Sequence, residues 1–295
     1  MSNKPSFISC LLLALILAAP SYAETVIHRE RSAYRDITVF EQGGLRCMRF
    51  SRKASARQSC FYLEDPDKLA FRYTKMIMGA LYINPNPRRI LIIGLGGGTL
   101  PNTLSFLYPN SEIHAVEIDK AVVKVAEKYF GFRAGNKMKV FEEDGRIFVK
   151  RVIRKGERGY DLIILDAFDQ EYIPEHLLTK EFLEELKRIL LPGGVLASNT
   201  WSSSKLYDHE SATYESVYGE FFNLKDFNRV ILARHGGLPS MDEIKRNSKA
   251  LDPLLKRFDV EAEWLLPMFS TQKDWDNNAR VLTDRYSPSN LLNTR

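Results

Sequence analysis

Four acidic residues follow apolar runs that read as strands. Glu117 ends "EIHAVE", Asp144 ends "KVFEED", and Asp166 ends "YDLIILD", with Asp169 three residues later in "LDAFDQ". A fifth apolar run, "RILII", leads into Gly94-Leu95-Gly96-Gly97-Gly98. Glycines at a strand end let the backbone turn tightly and let a ligand approach the main chain. Glu117 lies 23 positions beyond Gly94, where a carboxylate can accept hydrogen bonds from two ribose hydroxyls. Asp144 can accept from an adenine amino group, with Gly145 allowing a sharp turn; an Asp here equally suits a helix N-cap. Asp166 and Asp169 can hold a sulfonium or an ammonium, and one of them can take a proton. At this point the ligand is open between a dinucleotide and an adenosyl sulfonium compound.

The elements that position these residues alternate. "RILIIG", "EIHAVEID", "KMKVFEED", "YDLIILDAF" and "GGVLASNTW" read as strands, and helical stretches separate them. That order predicts a parallel, doubly wound sheet whose strand ends carry the ligand. Before it, "RDITVFEQGG" and the flanks of "SRKASA" read as short strands with a turn at Gly43-Gly44. "DPDKLAFRYTKMIMGALYI" reads as one helix, from the spacing of Leu69, Tyr73, Met76, Ile77 and Ala80. In the last third, "SATYESVYGEFF" and "SMDEIKRNSKALDPLLKRF" read as helices and "NRVILAR" as a strand. The segment "WSSSKLYDHESATY" is rich in hydroxyls and is a candidate substrate lid.

The N-terminus reads differently. Lys4, the apolar stretch "FISCLLLALILAA", and small residues at Ser21 and Ala23 form a secretory signal with cleavage expected after Ala23. The alternative is an inner-membrane anchor formed by residues 6–19; either way the body is exported. The expected organisation is a signal peptide over 1–23, a β-hairpin domain over 24–65 and a Rossmann-like domain over 66–295. A mature periplasmic or secreted chain keeps Cys47 and Cys60, an even count in an oxidising compartment. They are either a disulfide, worth about 3 kcal/mol for a loop of this length, or two buried thiols. A net charge of +5 without a dense basic run argues against a nucleic-acid partner. No His/Cys spacing suggests a metal. His176 and His209 lie in segments that could reach the site, though such a His is more often structural or solvated. No hydride-site acid stands out, which disfavours a dehydrogenase.

Taken in order, Gly94-x-Gly96-x-Gly98, Val116-Glu117-Ile118-Asp119, Asp144-Gly145, Tyr160-Asp161 and Asp166-x-x-Asp169 resemble the spermidine synthase (polyamine aminopropyltransferase) family. The resemblance covers about residues 35–200, and "VLTDRYSPSNLL" resembles the tail of bacterial spermidine-synthase-like proteins. It implies a small N-terminal β domain before a Rossmann-like, methyltransferase-type sheet. It also implies transfer of an aminopropyl group from decarboxylated S-adenosylmethionine, a co-substrate rather than a permanently bound cofactor, to a polyamine such as putrescine. On this resemblance Glu117 holds ribose, Asp144 holds adenine and Asp166 is the base. Asp169 and Tyr73 line the amine site, and Gln58 matches a glutamine that touches the nucleoside. Nucleoside and polyamine are then the partners. Relatives in the family are often dimers or tetramers built partly through the N-terminal strands, so a homodimer is the assembly the resemblance allows.

Three positions depart from the family pattern. Gly97 stands where the family usually has an Asp that grips the donor's amine, and Lys75 stands where a Glu usually follows the tyrosine. Asp166-Ala167-Phe168-Asp169-Gln170 replaces Asp-Ser-Ser-Asp-Pro. Each lost charge-assisted hydrogen bond costs about 1.5–3 kcal/mol, tenfold or more in affinity. Two alternatives therefore stand beside the transferase: a catalytically weak binder of nucleoside or polyamine, and a small-molecule methyltransferase using S-adenosylmethionine.

Overall fold

The computed structural model describes residues 23–50, 57–167 and 174–288. The expected leader and Asp169 lie outside the described residues. No helix among the described residues is long and apolar enough to cross a membrane.

Four antiparallel strands open the chain: β1 (Thr25–Arg31), β2 (Asp36–Gln42), β3 (Leu45–Arg49) and β4 (Ser59–Tyr62), in that spatial order. Cys47 faces Cys60 across β3 and β4, with Cα atoms 4.1 Å apart, and the two are disulfide-bonded. The open choice at these cysteines therefore falls to the disulfide, because the register puts them opposite each other.

The helix expected over residues 65–83 is shorter and broken. Lys68 closes a turn onto Asp65, and Leu69 bridges to Phe61 and donates its N–H to the carbonyl of Phe258. Helix α1 (Arg72–Ile77) starts only after these commitments are met, and α2 (Ala80–Ile83) follows a turn at Gly79. A Cβ on Gly79 would lie 2.9 Å from the carbonyl oxygen of Met76 and 3.1 Å from the ring of Phe269.

The second sheet has seven strands. In chain order the core elements are β5 (Arg89–Ile93), α3 (Thr99–Leu107), β6 (Glu112–Val116), α4 (Lys120–Tyr129), β7 (Met138–Phe141), α5 (Gly145–Lys155), β8 (Tyr160–Leu165), α6 (Lys180–Ile189) and β9 (Leu190–Trp201). Then come α7 (Tyr207–Tyr218), β10 (Phe222–Lys225), β11 (Asn228–Arg234), α8 (Met241–Leu255) and α9 (Ala262–Leu265). The strand order is β10-β11-β9-β8-β5-β6-β7. The five strands β5 to β9 are parallel, as expected, but β10 and β11 form an antiparallel hairpin against β9, so the sheet is mixed. The stretch "GEFF", read as helical, instead leaves α7 at Gly219 with φ of 73° and enters β10.

Helices cover both faces, which is why β5 is buried along its whole length. Leu100 and Leu104 of α3, Met76 of α1 and Ile244 of α8 pack on one face; Phe148 of α5, Phe182 of α6 and Tyr214 of α7 pack on the other. The N-terminal sheet rests its apolar side, Ile37, Val39 and Met48, on Val122, Val125 and Phe130 in and beyond α4.

Candidate active site

The strand register brings the sequence's acidic residues into one row. Ile93 pairs with Val116 on one side and Leu165 on the other, and Leu165 pairs with Ser198. The next residues along are Gly94, Glu117, Asp166 and Asn199. They are level at the carboxyl edge of the sheet, beside the point where the strand order reverses about β5. A cavity of about 1180 Å³ opens there. Gly94, Gly96, Glu117, Asp144, Gly145 and Asp166 line it, as do Tyr73 and Gln58.

Gly94 takes φ of 98°, and a Cβ on it would lie 2.1 Å from the carbonyl oxygen of Asp166. The glycine loop thus presses its backbone onto the end of β8, and any side chain at Gly94 would push the two apart. Beside it, Glu117 is buried. One carboxylate oxygen accepts from the N–H of Leu95 (3.1 Å) and the other from the N–H of Asp119 (3.0 Å). Burial pushes its pKa up, and these two amides and Arg35 offset part of that rise. Each oxygen keeps a further lone pair for a hydroxyl donor.

Of the two roles considered for Asp144, the structure shows the helix cap. Its Oδ1 caps α5, accepting from the N–H groups of Arg146 (2.9 Å) and Ile147 (3.0 Å). Its Oδ2 meets His176 Nε2 at 2.8 Å, so His176 does reach the cavity. His209 does not line it; its Nδ1 hydrogen-bonds to the carbonyl of Arg280. Gly145 lets α5 start against β5, where a Cβ would meet Ile93 Cγ2 at 2.5 Å.

Asp166 lies on the cavity floor. The Tyr73 hydroxyl donates to its Oδ2 (3.2 Å) and the Asn199 amide donates to its Oδ1 (2.9 Å). Burial pushes its pKa up to about 7, with the Asn199 and Tyr73 hydrogen bonds pulling the other way. Burial, and then the charge of Asp166, hold the Tyr73 phenol well above its ordinary value, so it remains a donor. Asp166 is half-buried, with Tyr73 of α1 reaching it from one side and Asn199 of β9 from the other.

Lys75 does not put a cation in this cavity. Its ammonium is turned away to an ion pair with Asp259. The segment "WSSSKLYDHESATY", the candidate lid, runs from the cavity wall into α7. Trp201 lines the cavity, while Ser211 and Thr213 bond back to the carbonyls of Tyr207 and His209 within α7.

Sequence reasoning missed several lining residues. Asn199 and Asn228 come from adjacent strands, β9 and β11. Tyr34 and Arg35 come from the β1–β2 turn, which Ser32 ties to the core through a 2.5 Å hydrogen bond to Asp119. For Asn199 the signal was present, since it lies near the end of the strand read from "GGVLASNTW"; Asn228, Tyr34 and Arg35 carry no such local mark. Among the described residues no group of three or more His, Cys, Asp or Glu is placed to hold a metal ion.

Comparison with known proteins agrees with this geometry. Residues 70–227 match the family model "Spermine/spermidine synthase domain", a span that includes Tyr73, the strand-end acids and Asn199. The chain is 46% identical to a polyamine aminopropyltransferase of Vibrio vulnificus, over 99% of this chain and 100% of that one. It is 32% identical to a polyamine aminopropyltransferase of Chromobacterium violaceum, over 78% of this chain and 87% of that one. In fold it is similar to the crystal structure of a probable spermidine synthase from Corynebacterium glutamicum, with a TM-score of 0.64 at 19% identity, covering 85% of this chain and 97% of that one. The chain belongs to the spermine/spermidine synthase family.

Proposed function

We propose that this enzyme transfers an aminopropyl group from decarboxylated S-adenosylmethionine to a polyamine such as putrescine, with Asp166 as the proton acceptor. The observation that carries this is Asp166 itself, a half-buried carboxylate at the cavity with both oxygens oriented and a pKa raised to about 7. An acceptor amine arrives as an ammonium and must lose a proton before it can attack. Asp166 takes that proton, and its charge holds the cation in place. The amine lone pair then forms a bond to the methylene carbon beside the sulfonium. The carbon–sulfur bond breaks, its electron pair goes to sulfur, and neutral methylthioadenosine leaves. A base poised near the working pH suits this step.

The remaining roles belong to the same proposal. Glu117 accepts from the ribose hydroxyls with its free lone pairs. Asp144 and nearby backbone meet the adenine, with His176 sharing Asp144. Tyr73 orients Asp166 and walls the amine site, Gln58 touches the nucleoside, and Asp169 contacts an amine. Export through the N-terminal leader, and a homodimeric assembly, are also proposed. The Cys47–Cys60 disulfide supports an oxidising compartment.

The test is turnover of putrescine and decarboxylated donor by purified mature protein, with product polyamine and methylthioadenosine measured together. Asp166→Asn should abolish transfer and keep methylthioadenosine binding by calorimetry. Nucleoside binding with no transfer to any polyamine would leave the weak binder as the reading. Methyl transfer from S-adenosylmethionine would favour the methyltransferase.

A further inference from the structure

We propose that Asn228 is a positioning residue for Asp166, acting through Asn199 by fixing which end of the Asn199 amide Asp166 meets. This rests on the reading of Asp166 as proton acceptor. Asn199 of β9 pairs with Val230 of β11, and Asn228 pairs with Trp201, so the two asparagines are diagonal neighbours. Asn228 Nδ2 donates to Asn199 Oδ1 (3.3 Å), and Asn199 Nδ2 donates to Asp166 Oδ1 (2.9 Å).

An asparagine amide has a donor end and an acceptor end of nearly the same shape, related by a half turn. The donor end stabilises an Asp166 carboxylate. The acceptor end would set one oxygen against another and favour the protonated acid. Asn199 is buried, so it cannot choose its orientation by solvation. Asn228 makes the choice by engaging the acceptor end. The chain Asn228, Asn199, Asp166 therefore sets how readily the base gives up its proton; Asn228 also lines the cavity but meets Asp166 only through Asn199.

The charged groups nearby are otherwise engaged. Tyr73 of α1 donates to the other oxygen of Asp166. Arg72 of the same helix pairs with Asp226 at the β10–β11 turn, 2.5 Å away. Glu117 at the end of β6 is held by backbone amides, and Asp144 before α5 by His176. Glu210 of α7 and Arg229 of β11 face each other at 3.8 Å, and both are buried.

The test is the pH profile of kcat/KM for putrescine in a double-mutant cycle of Asn228→Leu and Asn199→Leu, with melting temperatures recorded for each. Asn228→Leu should move the acid limb up by about one pH unit, roughly tenfold in rate below the limb. Asn199→Leu should move it by about one to two units. Adding Asn228→Leu to Asn199→Leu should move it no further, because the relay is already cut. Asn228→Ala removes the same donor with less bulk and serves if the Leu variant does not fold.

An unmoved limb in folded Asn228→Leu or Asn228→Ala overturns the proposal. So does an equal shift in the Asn199→Leu background. Asp166→Asn run alongside keeps the two failures apart: retained turnover there sinks the base reading. A dead Asp166→Asn with an unmoved Asn228 limb sinks only the relay.

Discussion

A side chain on Gly97 would run into the ring of Phe130. A Cβ built there lies 2.8 Å from Phe130 Cδ1 and 2.6 Å from the Ser59 hydroxyl. The family's usual Asp at this position therefore has no room, because the N-terminal sheet and the end of α4 meet across the glycine loop. Gly97→Asp should not restore a grip on the donor's amine. It should lower stability by about 1–3 kcal/mol, as overpacking does, with no gain in donor affinity. Thermal melting and calorimetric titration with decarboxylated S-adenosylmethionine, which carries that amine, check both halves, and tighter binding at unchanged melting temperature would refute it.

Glu117 is committed to two backbone amides before any ribose arrives. Replacing it with Gln puts an NH₂ group against one of those N–H donors, leaving a buried donor unsatisfied at a cost of about 1–3 kcal/mol. The variant should melt lower and bind methylthioadenosine at least tenfold more weakly. Near-wild-type affinity would remove Glu117 from the nucleoside site.

Much of this site was legible because its signals are local. An apolar run followed by glycines or an acid marks a buried strand end, and Gly94, Glu117, Asp144 and Asp166 each carry that mark within a few residues. The unread parts depend on partners far away in the chain. Lys75 reads as a cation beside Tyr73 until Asp259, 184 residues on, turns it away. Asn199 meets Asn228 only because β11 runs antiparallel to β9, a pairing that strand-helix alternation does not foretell. The helix expected over residues 65–83 fails at its start for the same reason: Leu69 is claimed by Phe61 and Phe258. Cys47 and Cys60 needed the strand register that only the folded hairpin supplies.

Arg146 ties the C-terminal segment to the nucleoside side of the cavity. It forks onto Glu185 (2.9 and 3.0 Å) and onto Asp284 (2.6 and 2.8 Å), and it donates to the carbonyl of His176 (3.2 Å). Arg146→Met should destabilise by about 2 kcal/mol, less than for a fully buried pair because Asp284 is partly open to water. The Arg146 hydrogen bond is the main reason the Asp284 carboxyl titrates below its ordinary value of 3.8. Its stabilisation is thus present above that value and lost as pH falls through the lower, folded one. Denaturant melts should show wild type ahead of Asp284→Asn at pH 7 and the gap closing in acid. A gap that is constant down to pH 2 would assign the loss to packing instead.

The disulfide staples β4, which carries Ser59, with Gln58 just before it, into the cavity wall. Reduction, or the double change Cys47→Ser with Cys60→Ser, should lower stability by about 3 kcal/mol. It should also weaken nucleoside binding, because β4 then holds its register through hydrogen bonds alone. Melting with and without reductant tests this, and an unchanged midpoint would show that the sheet needs no staple.

Asp166 should make the enzyme less stable as pH rises. Its folded pKa of about 7 stands above the ordinary 3.8. A raised carboxyl pKa means the folded state favours the proton. The resulting stabilisation is complete below 3.8 and is lost as pH rises through about 7. Asp166→Asn removes that titration, so it should gain on wild type by about 2 kcal/mol between pH 5.5 and pH 8.5. Glu210, raised from 4.5 to about 7, adds a similar slope that persists in both proteins and cancels in the comparison. Urea unfolding of the two proteins at both pH values measures the difference. A gap that does not widen would mean Asp166 ionises in the folded state as it does in water. It would then have no raised pKa with which to meet an ammonium near neutral pH. A gap that widens would show that the ionised carboxylate costs stability under the conditions in which it works as a base.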